Sequence, residues 1–163
     1  MDEGNEQYRI AVAEYQWVKE NIKYRMSYWG DVTRTLAKRE GHCGIKAELL
    51  VARLKEHGIK ARYVEGRPLE SDLPLLKLPP LQAHFWVEAR VDGYWLTLDP
   101  TPDPGIAHLS GDTIPGSRLG TPQYITRWDE IPVWFKEFYN HRMLAPLRFL
   151  SNLNLDYHRR RGK

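Results

Sequence analysis

Residues 5–24 place Tyr8, Ala11, Val12, Tyr15, Val18 and Ile22 at the three-and-four spacing of an amphipathic helix. A shorter helix is predicted from Asp31, a good N-cap residue, through Val32 and Leu36 to about Arg39. After a break at Gly41, Cys43, Ala47, Leu50 and Leu54 recur at four, three and four, and Gly58 stands where a helix would stop. The period then switches to two. Residues 59–64 (IKARYV) read as a strand, and 84–91 (HFWVEARV) and 94–99 (YWLTLD) as two strands joined by Asp92-Gly93, a strong hairpin signal. Between them, 67–83 is Pro-rich and without period. Residues 100–123 hold five Pro and four Gly and predict an irregular excursion. Helical pattern returns at 129–153 with Trp134, Phe135, Phe138 and Tyr139. Helices, then antiparallel strands, then helix make an α+β order.

Length and composition add bounds. At 163 residues with 42% apolar side chains, six Trp and nine Tyr, the chain can bury a core as one domain. A single cysteine allows no intrachain disulfide. The N-terminus lacks the basic and apolar regions of a secretory signal, and no apolar run reaches the ~20 residues of a membrane span. The expected location is cytoplasmic. The net charge of +3 comes from the last six residues, HRRRGK; the rest of the chain carries 20 basic and 21 acidic residues. A basic tail on a neutral body predicts a solvated, disordered end and no nucleic-acid surface.

The lone cysteine stands where a helix begins. Thiolate rather than thiol attacks carbon, and the unpaired N–H groups of a first helical turn favour a thiolate and can hold an oxyanion. A small buried hydrophobe is the plainer role for such a residue. The hairpin changes the balance. With Asp92-Gly93 as the loop, Val91 faces Tyr94, Arg90 faces Trp95, Glu88 faces Thr97 and Trp86 faces Asp99. His84 then becomes a diagonal neighbour of Asp99 on one sheet face, with Cα atoms ~7–8 Å apart. A carboxylate on one imidazole nitrogen leaves the other free to take a thiol proton. A metal site from His42, Cys43, His57 and His84 lacks a CxxC or HExxH pattern; no metal and no cofactor is expected. His42 reads as a turn residue and His57 as the solvated end of a helix.

Four motifs in order, Gly41-His42-Cys43, Gly58-Ile59-Lys60-Ala61-Arg62, His84-Phe85-Trp86-Val87-Glu88 and Asp99-Pro100-Thr101, give the chain a resemblance to the transglutaminase-like superfamily over about residues 20–101. The resemblance implies a papain-like fold: N-terminal helices, with the nucleophile helix packed on an antiparallel sheet. It implies a triad of Cys43, His84 and Asp99, and structural roles for Arg62, Trp86 and Glu88. The family's oxyanion side chain is often an aromatic upstream of the cysteine, for which Tyr24 and Trp29 are the candidates. Nothing resembles the added β-domains or calcium sites of large animal transglutaminases. The expected organisation is a catalytic core at 1–123 and a C-terminal helical extension at 124–163, in the same domain or as an appendage.

The implied function is cysteine-dependent cleavage of amide, peptide or isopeptide bonds in a protein or peptide substrate, through an acyl-enzyme thioester. Hydrolysis is favoured over transamidation; the alternatives are a protein-glutamine transamidase and a non-catalytic binding module of the same fold. The loop at 67–83 would border the cleft, its Leu75, Leu76, Leu78 and Leu81 lining a groove or packing down. Trp134, Phe135 and Phe138 would cover the core or meet a partner. Oligomeric state is left open.

Overall fold

A computed structural model describes residues 3–66, 73–109 and 125–162. Helix α1 (Glu3–Asn21) leads into a two-residue strand β1 (Lys23–Tyr24), helix α2 (Val32–Lys38) and a second short strand β2 (Glu40–Gly41). Helix α3 (Cys43–Glu56) follows, then β3 (Ala61–Gly66), β4 (His84–Val91), β5 (Tyr94–Leu98) and β6 (Ile125–Trp128). Helices α4 (Val133–Asn140) and α5 (Ala145–Arg161) end the chain. The four longer strands form an antiparallel sheet ordered β5-β4-β3-β6, while β1 and β2 pair in parallel apart from it. The fold class is α+β, as the order of periodicities predicts. No described helix is long and apolar enough to cross a membrane.

The first helix is shorter than its apolar pattern. Lys23 N–H donates to Arg39 O at 2.9 Å and Arg25 N–H to Gly41 O at 3.1 Å, so the chain turns into the β1–β2 pair at Asn21. Tyr24 therefore lies on a strand, fully buried, rather than at a helix end. Asp31 caps α2 as predicted, its carboxylate accepting from Arg34 N–H at 2.8 Å.

Helix α3 lies between α1 and the sheet, which it meets along β4 and β3. Ile45, Leu49 and Val51 are buried together with Cys43, Ala47, Leu50 and Leu54, so the helix is apolar around most of its girth and is enclosed accordingly. Its end is a Schellman motif: Gly58 at φ +72° donates to Lys55 O and Ile59 to Leu54 O. Because Ile59 is engaged in that cap, β3 begins two residues later than the pattern suggests. Its start is sealed by close packing. A Cβ on Gly44 would overlap the buried six-membered ring of Trp29. Trp29 is held in place, since its backbone and ring N–H are bonded and its ring meets His42, Phe85 and Phe135 edge to face. Gly44→Ala is expected to cost about 1–3 kcal/mol of stability through overpacking, read as a lower urea midpoint at unchanged slope.

The hairpin register is the predicted one, with Arg90 opposite Trp95 and Glu88 opposite Thr97. Asp92 and Gly93 both take positive φ, 50° and 84°. On the neighbouring strand Arg62 stacks over Trp95 at 3.8 Å and pairs with Glu88 at 2.7 Å. Burial opposes ionisation of Glu88, but Arg127 and Arg62 together hold its carboxyl below the usual range.

Elsewhere the structure departs from the pattern. Strand β6 adds an edge beside β3 in a stretch with no predicted element. In the Pro-rich loop, 3₁₀ turns at Pro74–Lys77 and Pro79–Leu81 press Leu75, Leu76 and Leu81 into the core. Residues 67–72 and 110–124, with the parts of the loop and excursion they carry, lie outside the described residues. Phe135 is buried, whereas Trp134 and Phe138 are exposed. The basic end is no free tail: His158 to Arg161 form the last turn of α5, and the Arg159 side chain is only 12% exposed because it reaches inward to Asp103.

Candidate active site

Cys43 opens α3 behind His42, whose extended backbone (φ −83°, ψ 179°) ends the β2 segment. No side chain caps this terminus at His42, and Lys46 N–H makes the helix bond back to His42 O at 3.0 Å. The amides of Cys43, Gly44 and Ile45 belong to the first turn, which has no intrahelical acceptors. Cys43 itself is buried and free of any disulfide.

His84 starts β4 and Asp99 follows the end of β5, so the hairpin register brings them together. His84 Nε2 and Asp99 Oδ2 are 2.8 Å apart, both side chains at least nine-tenths buried. Asp99 Oδ1 accepts from Thr101 N–H at 3.0 Å, which fixes the carboxylate plane. The other ring nitrogen, Nδ1, is buried with no hydrogen-bond partner. Burial pulls the His84 pKa down. The charge and hydrogen bond of Asp99, joined by the nearby Cys43 thiol, more than reverse this and push it up to about 10. Cys43 is thus among the groups that raise the imidazole pKa, while Nδ1 itself has no hydrogen-bond partner.

Tyr24, on β1, is coupled electrostatically to Cys43 and Asp99. Its hydroxyl is buried without a hydrogen-bond partner. Burial, reinforced by the charges of Cys43, Tyr139 and Asp99, holds its pKa well above the ordinary phenol value despite Arg159, so it stays a neutral O–H donor. Trp29 lies against the first turn of α3, but its Nε1–H donates to Glu48 Oε2 at 2.6 Å and is not free for another acceptor.

The other histidines have different partners. His42 is no exposed turn residue: its ring is buried, 4.5 Å from Trp29 and 4.3 Å from Tyr139 between centroids. Burial and the cations Arg148 and Lys136 drive its pKa down to about 3. His57 bonds Glu14 of α1 at 3.0 Å. Among the described residues no group of His, Cys, Asp and Glu is arranged to hold a metal.

Pattern reading overlooked two supports of the site. Lys46, one turn into α3, is wholly buried and donates to Ile22 O at 2.6 Å and Thr101 O at 3.1 Å. It thereby ties the end of α1 to the loop that carries Asp99. Burial lowers its pKa to about 7, although Asp103 and Asp99 pull the other way. A lysine three residues after the cysteine, on the apolar stripe, was the available signal. Asp103 is the second support: buried, its Oδ2 accepts from Tyr24 N–H at 2.6 Å. Its other partner, Arg159, lies 56 residues away, and no local pattern announces that contact.

No curated protein matches the chain. A solved structure from Cytophaga hutchinsonii, provisionally assigned as a cysteine protease, is similar at 18% identity and a TM-score of 0.47. The match covers 78% of this chain and 46% of that one, so this chain spans less than half the length of that protein. The model of the transglutaminase-like superfamily matches residues 1–100, a stretch that holds the whole of α1 to β5 with Tyr24, Cys43, His84 and Asp99, while Asp103 and Arg159 lie beyond it. With more than half its length so matched, the chain belongs to the transglutaminase-like superfamily, a membership that supports a cysteine-dependent enzyme.

Proposed function

We propose that this chain cleaves amide, peptide or isopeptide bonds of a protein or peptide through a thioester on Cys43, with His84 as base and acid and Asp99 as its orienter. The observation that carries the reading is the division of the imidazole: Nε2 is held by Asp99, while Nδ1 is buried, unpartnered and under the influence of the thiol.

In this reading the Cys43 thiol proton already rests on His84 Nδ1, as the raised imidazole pKa favours, and the thiolate Sγ attacks the carbonyl carbon. The carbonyl π-electrons move to oxygen, where the first-turn N–H groups of α3 and the Tyr24 hydroxyl stabilise the charge. Collapse breaks the C–N bond, and the amine leaves with the proton that His84 had taken. A water, deprotonated by His84, then attacks the thioester; the C–S bond breaks and the proton returns to sulfur. An amine in place of water would give transamidation. Hydrolysis is the outcome favoured over transamidation, and the acceptor competition below separates the two. Of the two upstream aromatics, Tyr24 is the better oxyanion donor, since its O–H is unspent and the Trp29 N–H is not.

Intact-mass measurement tests this. Wild type mixed with p-nitrophenyl acetate or reactive peptide esters is expected to gain one acyl group that hydroxylamine removes, and Cys43→Ala to gain none. Equal adducts on both proteins would exclude Cys43 as the attacking atom. With wild type and a peptide amide, free acid in excess over coupled product when a primary amine is added would support hydrolysis; the reverse would make the chain a transamidase.

A further inference from the structure

Between β1 and α2 the segment 25–30 belongs to no helix or strand, yet Met26 and Trp29 are buried within it. Its backbone polar groups must find partners outside regular structure. Arg25 N–H bonds Gly41 O, and Ser27 and Gly30 bond within the segment, but Met26 and Trp29 find their partners in the C-terminal third of the chain, beyond the residues the superfamily model matches.

The pattern is regular. Asn140, the last residue of α4, accepts from Trp29 N–H at 2.7 Å and donates to Trp29 O at 2.8 Å. Asn152 of α5 does the same for Met26, at 2.8 and 3.2 Å. At Tyr24 the two roles are divided: Asp103 Oδ2 accepts from the N–H, and Arg159 of α5 donates to the carbonyl at 2.9 Å while also binding Asp103. Arg25 adds an ion pair to Asp156 of α5 at 3.0 Å. Two amide side chains and one acid–base pair thus grip both polar groups of three residues, as an adjoining antiparallel strand would.

Resting on the catalytic reading above, we infer that α4 and α5 are part of the catalytic apparatus, holding the Tyr24–Trp29 segment so that the Tyr24 hydroxyl stays aimed at the oxyanion, with Arg159, Asn152 and Asn140 as positioning residues. The contacts engage backbone on both sides of the segment, which fixes the strand carrying the phenol and leaves its hydroxyl uncommitted. Arg159 sits closest to the donor and has the most to lose.

Two reactions at the same sulfur separate positioning from general damage. Iodoacetamide alkylates Cys43 by displacement at a saturated carbon, so no oxyanion forms; p-nitrophenyl acetate acylates it through one. Arg159→Met is expected to slow acylation ~10–100-fold while alkylation stays within about twofold of wild type. Tyr24→Phe should reproduce that split, and the double variant should be no slower than Tyr24→Phe alone, because both remove one function. Should Arg159→Met not fold, Arg159→Lys, which keeps the charge but not the fork, should show a smaller split of the same kind. Equal loss in both reactions, an additive double variant, or acylation as fast as wild type would overturn the inference. A wild type that forms no acyl adduct would instead overturn the catalytic reading beneath it.

Discussion

Replacing His84 by alanine is expected to lower kcat/KM on an amide or ester substrate by about 10³-fold or more. General acid–base catalysis alone contributes about 10²–10⁴-fold, and removal of a group that acts as a unit with its nucleophile costs more. No neighbour can take over the proton. His42 is adjacent in sequence, but its ring is packed between Trp29 and Tyr139 and its pKa of about 3 makes it a poor base. The Lys46 amine is committed to the carbonyls of Ile22 and Thr101. The pH profile should change as well. In the wild type the leaving amine needs a protonated His84, so kcat/KM should fall as pH rises through about 10, where the imidazolium loses its proton. His84→Ala should lack that limb. Assays on a peptide amide across pH, with a urea midpoint as a folding control, decide the matter; a folded His84→Ala within tenfold of wild type would remove His84 from the chemistry.

The positions of the proposed triad were readable because each lies at a local boundary with its own chemistry. Asp92-Gly93 sets the hairpin register, and the register alone makes His84 and Asp99 neighbours. The helix behind Cys43 is announced by its apolar stripe and by Gly58, whose positive φ completes the cap. What could not be read is held by contacts between distant parts of the chain. Tyr24 closes the stretch read as the first helix, and pairing with Gly41 places it on a strand instead. Strand β6, Ile-Thr-Arg-Trp, has no alternation to mark it; it exists because β3 offers an edge and Glu88 an acid for Arg127. The arginines of the last turn look like a solvated tail by composition, yet Arg159 is drawn inward by a buried acid. Local periodicity therefore locates elements and hairpin partners. The electrostatic supports of the site depend on which distant residues fold onto it.

Asp99→Asn is expected to lower kcat by about 10²–10⁴-fold with little change in KM, through the wrong tautomer. Asp99 uses both oxygens: Oδ1 for Thr101 N–H and Oδ2 for His84 Nε2. An asparagine that keeps its oxygen on Thr101 must present its NH₂ to Nε2, which then has to accept. The neutral ring carries its proton on Nδ1, facing the thiol it should deprotonate. The reverse orientation would set two donors against each other at Thr101 in a buried place. Removing the carboxylate also removes the largest upward push on His84, leaving burial less opposed, so its pKa should fall well below about 10. The sign carries over to stability. A raised imidazole pKa stabilises the wild-type fold fully below the unfolded value of about 6.5 and loses that contribution as pH climbs to about 10. The stability gap between wild type and Asp99→Asn, measured by urea unfolding, should therefore be wide at pH 6 and shrink toward pH 10.5. A variant with near-normal kcat, or a gap that does not change with pH, would show that this carboxylate neither sets the tautomer nor charges the ring.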